Sequence, residues 1–81
     1  MEKREFIDNS VKLVIKYYNE HIYGKRDNTE KINVGDIEIE DMECIDNNKK
    51  ILLYINKVPD KIFEIQYNED TNTLTSEILK R

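Results

Sequence analysis

The sequence predicts an α+β fold, one amphipathic helix packed on one face of a four-stranded antiparallel meander (α-β-β-β-β), and three observations carry that prediction. Apolar residues recur at helical spacing at the start of the chain. The period falls to two after residue 31, and short polar turn signals then cut the remainder into strands.

Residues 3–23 read as the helix. Ile7, Val11, Val14, Tyr18 and Ile22 fall within about 80° of one another at helical spacing, and Ile15 widens the stripe. Phe6, Leu13 and Tyr17 form a second apolar strip roughly 100° away. Asn9, Lys12, Lys16 and Asn19 mark the solvent side. Gly24 is a natural left-handed stop, with Lys25 and Arg26 complementing the C-terminal dipole.

Residues 25–31 are a polar loop. Ile32 and Val34 then share one strand phase while Ile37 and Ile39 take the other. Gly35 sits where the phase slips, as a β-bulge or a break between short strands requires. This first strand runs to about Ile45, and Met42 and Cys44 hint at a second slip. Asp46-Asn47-Asn48-Lys49 is a turn, because Asn tolerates positive φ. Residues 51–55 are apolar on both faces, as in a central strand. Val58-Pro59-Asp60-Lys61 reads as the next turn, with Pro59 at its second position. Ile62 to Tyr67 alternates as strand three, with Phe63, Ile65 and Tyr67 on one face and Glu64 and Gln66 on the other. A polar turn over 68–72 leads to strand four through Leu74, Ser76 and Ile78, although residues 75–81 also fit a helical turn.

The helix must bury its stripe on one sheet face, since a lone meander is unstable with both faces wet. The expected core is Ile7, Val11, Val14, Tyr18, Ile22, Ile37, Ile39, Ile51, Leu53, Ile55, Phe63, Ile65, Leu74 and Ile78. At 81 residues the chain makes one domain over 1–81, and such a domain buries only about 60% of its unfolded surface. Charged residues make up 37% of the chain, yet net charge is only −4. That balance fits a folded domain with a charged surface better than a disordered one. Cys44 is the single cysteine, so no intrachain disulfide forms, and a reducing cytoplasm is expected. Lysines at 12 and 16 interrupt the first apolar stretch, which suits neither a signal peptide nor a membrane span.

Charge is segregated along the chain. Between residues 32 and 48 lie Asp36, Glu38, Glu40, Asp41, Glu43 and Asp46 with no Lys or Arg. The ordinary reading is the solvated face of an edge-guarding strand. The sharper one is a negative stripe that docks in a basic groove. In an unbroken strand Glu38 and Glu40 stand about 7 Å apart on one face, near the spacing of successive phosphates on a nucleic-acid strand. A carboxylate metal site is the weakest reading, because the spacing lacks the glycine and closing glutamate of a calcium loop.

Other chemistry is sparse. His21 is the only histidine and Cys44 lies far from it in sequence, so no zinc set is expected. The two glycines form no phosphate loop, and the carboxylates offer no paired arrangement for acid–base work. Tyr17, Tyr18 and Tyr23 lie near Lys12, Lys16, Lys25 and Arg26, a combination that suits nucleic-acid stacking. The acidic balance (pI about 5.0) argues against direct phosphate contact, and tyrosines also favour protein interfaces.

The expectation is a non-enzymatic protein-binding module without metal or cofactor. It would use Asp36, Glu38, Glu40, Asp41 and Glu43 toward a basic protein partner, and Phe6, Leu13, Tyr17 and Tyr23 toward the same partner or a homodimer. Neither direct nucleic-acid binding nor membrane association is expected. The alternative is a small-ligand binder or accessory subunit using the helix–sheet groove. The heavy use of Ile, Asn, Lys and Glu is the bias of AT-rich genomes. In size, acidity and composition the chain resembles small phage and mobile-element proteins, anti-restriction and anti-CRISPR inhibitors among them. That resemblance covers no motif and implies a role as inhibitor of a nucleic-acid-handling protein.

Overall fold

One helix and four strands make up the computed structural model, which describes residues 1–25 and 30–80. Helix α1 (Lys3–His21) is followed by a 3-10 turn (Val34–Asp36), then β1 (Ile37–Ile45), β2 (Asn48–Ile55), β3 (Val58–Asn68) and β4 (Thr73–Lys80). The strands form one antiparallel sheet in sequence order. The α-β-β-β-β meander predicted from the sequence is therefore the fold, and residues 73–80 are strand, not helix.

The helix buries Phe6, Ser10, Val14 and Tyr18, and Ile22 just past its end continues the row. Each step of four residues overshoots a full circle by about 40°, so this row slants across the helix. Ile7, Val11 and Ile15 flank it on one side and Leu13 and Tyr17 on the other, all half-buried. The buried stripe is thus displaced from the expected one: Phe6 is central, and Ile7 and Val11 are marginal. Ser10 explains the shift. Its hydroxyl donates to the Phe6 carbonyl at 2.8 Å, so a polar residue lies in the core with its donor satisfied inside the helix. The helix stops at His21, two residues early. The N–H groups of Ile22 and Tyr23 both donate to the Tyr18 carbonyl, at 2.9 and 2.8 Å. Gly24 then takes the left-handed conformation expected of it, φ +75°.

The loop expected over 25–31 falls largely on residues 26–29, outside the described residues. Ile32 and Val34 do not form a strand. Asn33 instead caps the 3-10 turn: its Oδ1 accepts from the Gly35 N–H at 2.8 Å, and Asp36 Oδ2 accepts from the Asn33 N–H at 2.9 Å. A Cβ on Gly35 would stand 3.1 Å from Asn33 Oδ1, so glycine makes room for this cap. The phase break at Gly35 is this turn.

The second slip is a bulge. Ile39 pairs with Leu53 and Asp41 with Leu52, so Glu40 is the extra residue in β1. The 46–49 turn tightens to a hairpin in which Asp46, not an asparagine, has positive φ, 51°. The turn expected at Val58–Lys61 is a correction. The reversal occurs at Asn56-Lys57, and Val58 already pairs with Ile55. Residues 59–62 then run opposite Tyr54 alone, so Pro59 occupies an irregular stretch where its missing N–H costs no ladder bond.

The core joins Phe6, Val14, Tyr18 and Ile22 to Ile51, Leu53 and Ile55 of β2 and Phe63, Ile65 and Tyr67 of β3. The helix lies over β2 and β3, and both edge strands project beyond it. Ile39, Leu74 and Ile78, expected in the core, are for that reason 49%, 37% and 39% exposed.

Candidate protein-interaction surface

The register decides which carboxylates share a face. Glu38, Asp41 and Glu43 pair with Tyr54, Leu52 and Lys50 of β2, which alternate with the core residues Ile51, Leu53 and Ile55. All three therefore point to the face away from the helix. Strict alternation would have put Asp41 and Glu43 on the opposite face from Glu38. The Glu40 bulge absorbs the odd residue and brings them into line.

Two further carboxylates join them. Glu64 pairs with Leu52 and Glu77 with Glu64, so Glu64 and Glu77 face the same way, directly across β3 and β4. Directly opposed like charges disfavour the pairing itself. The Gln66 side-chain amide donates to Glu64 Oε1 and Lys50 stands opposite Glu43, which offsets part of the repulsion. The helix packs on the opposite face, over β2 and β3. The end of the acidic face toward the Asn56-Lys57 turn is apolar. Ile62 is 6% exposed yet lies outside the main core, opposite the half-buried Leu79, while Leu52 and Tyr54 share the face. Alternation in the sequence already sets Glu64 opposite the core-facing Phe63 and Ile65, but its direct pairing with Glu77 is fixed by the strand register, which leaves no local signal.

The remaining candidates divide. Asp36 is half-buried, and its carboxylate is held by the Asn33 N–H; it caps a turn and does not extend the acidic row. Phe6 is fully buried, which corrects its expected role toward a partner or homodimer; it presents no surface. Leu13 and Tyr17 line a groove of about 190 Å³ between α1 and β4, with Phe63, Ile65, Ser76 and Ile78. Tyr17 meets Phe63 edge-on at 5.4 Å. Tyr23 is 37% exposed beside Tyr18, with ring centroids 6.3 Å apart, and does not line the groove. The acidic set and the helical set thus lie on opposite sides of the sheet and form no single site.

His21 is exposed beside Tyr17, ring centroids 4.6 Å apart. Tyr17 lies on Phe63, whereas Cys44 joins the Lys49–Tyr67 end of the sheet, so the fold sets His21 and Cys44 toward opposite ends. Lys57 donates to Glu30 Oε2 at 3.0 Å, and that bond chiefly holds its ammonium above the usual lysine range. Among the described residues no group of three or more His, Cys, Asp and Glu side chains is placed to hold a metal ion, and no helix is long and apolar enough to cross a membrane.

No protein-family model, curated protein or solved structure matches this chain.

Proposed function

We propose that this protein is a non-enzymatic protein-binding module that sets its helix-free, acidic sheet face against a basic protein partner. The observation that supports this reading most is the Glu40 bulge. It aligns Glu38, Asp41 and Glu43 on the face that Glu64 and Glu77 also share. Asp41 and Glu43 stand about 7 Å apart along β1, and the half-buried Leu52, Tyr54 and Leu79 supply the apolar contact area that charge alone does not. A basic groove built for nucleic acid has matching charge, so an inhibitor of a nucleic-acid-handling protein, acting in a reducing cytoplasm and of the kind phages and mobile elements carry, is the concrete form of the proposal.

The groove beside Leu13 and Tyr17 favours the alternative of a small-ligand site. At about 190 Å³ it falls below the roughly 300–1,000 Å³ of ordinary ligand pockets, and the acidic face is the stronger reading. The test compares three baits in quantitative pull-downs from the native host: wild type, Glu38→Lys/Asp41→Lys/Glu43→Lys, and the helix-surface control Glu5→Lys/Asp8→Lys. A basic protein held by wild type and by the control but lost from the triple reversal is expected. Equal retention by all three baits would contradict the reading.

A further inference from the structure

The two edges of the sheet are built differently. β1 carries a bulge and a row of carboxylates, both devices that discourage strand addition. β4 has neither. Its eight residues pair with β3 without a register shift, its Thr-Leu-Thr-Ser-Glu-Ile-Leu-Lys sequence contains no Pro or Gly, and its outer backbone groups face away from the sheet. Leu74 and Ile78 lie on the helix side of this strand, more than a third exposed.

The geometry points to a second copy of this chain as the occupant of that edge, paired antiparallel through β4 about a two-fold axis at Ser76. Charge supports self-association here more than elsewhere. Each copy carries net charge −4, and β4 holds one acid, Glu77, and one base, Lys80, against four acids in β1, so of the two edges this is the less repulsive for a second acidic copy. Parity then selects the register, because residues that oppose each other across a two-fold pair must share a sheet face. Centring on Glu77 opposes two carboxylates. Centring on Thr75 sets Leu74 against Ser76 and leaves Ile78 beyond the paired strand. Centring on Ser76 sets Leu74 of each copy against Ile78 of the other, next to the groove that Ile78 lines. The assembly also closes: a continuous sheet of both copies has only the two guarded β1 edges left, so growth stops at two.

The test uses the full chain with Cys44→Ser, since Cys44 is exposed and would confuse oxidation. Sedimentation over a concentration series should reach twice the 9.7 kDa chain mass. Leu74→Lys/Ile78→Lys should halve that mass with the circular dichroism spectrum unchanged, both residues being partly exposed. Ser76→Cys should oxidise to a covalent dimer, whereas Thr73→Cys, placed far from its own copy in this register, should not. A single-copy mass throughout the series, a dimer indifferent to Leu74→Lys/Ile78→Lys, or cross-linking through Thr73→Cys as readily as through Ser76→Cys would overturn the inference. Should the double lysine variant fail to fold, the cross-linking pair decides alone.

Discussion

Phe6 and Ile39 change places between pattern and packing. Phe6 is fully buried in the slanting row with Ser10, and Ile39 stands half exposed on β1. Removing a buried phenylalanine side chain costs about 3–5 kcal/mol, because the cavity collapses only partly. A domain of this length holds roughly 4–12 kcal/mol in total. Phe6→Ala should therefore remove much of the stability, and Ile39→Ala less than about 1 kcal/mol. Chemical denaturation of the two variants measures the contrast, and equal losses would place the core where the apolar pattern alone puts it. That pattern misleads at Ser10. A search for apolar residues steps around a serine and rotates the stripe toward Ile7 and Val11. The hydroxyl's bond to the Phe6 carbonyl, which makes its burial tolerable, has no signature in composition. Asp36 shows the same limit: its charge is legible, but its engagement by the Asn33 N–H is not.

At the scale of elements, helix and strands are legible because each repeats a period, and breaks in period are harder to place. A slip near Met42 is visible in the sequence, and the register puts it between Ile39 and Asp41. Pro59 draws a turn toward Val58–Lys61 because proline commonly opens turns. Asn56-Lys57 reverses the chain first and leaves Pro59 in the irregular part of β3. Deleting Glu40 removes the extra residue and leaves Glu38, Asp41 and Glu43 outward, so the variant should fold with a melting temperature close to wild type. Deleting Glu43 instead turns Asp41 toward the helix side and Met42 away from it, because a one-residue shift reverses every side chain it moves. That variant should melt lower. Identical melting curves for the two deletions would contradict the bulge at Glu40.

The whole molecule places the helix over β2 and β3 on one side and the carboxylates on the other. Segregation of charge into residues 32–48 is legible from the sequence, and it marks β1. Alternation also sets Glu64 on the face away from Phe63 and Ile65; that Glu77 stands directly across from it, and that Asp41 and Glu43 join Glu38, follows only from the strand register. If this combined face binds a basic partner, as proposed, electrostatic steering is the direct signature. Opposed charge raises association rates by orders of magnitude at low salt, and exposed attraction is screened over about 8 Å at physiological ionic strength. The decisive measurement is the association rate with the captured partner against salt, for wild type and for Glu38→Lys/Asp41→Lys. Wild type should slow steeply as salt rises. The double reversal should associate at least about tenfold more slowly at low salt, with a flattened salt slope, an intact fold and little change in dissociation. Equal rates and equal slopes would rule out a partner-binding role for this face and leave β1 as a solvated, edge-guarding strand.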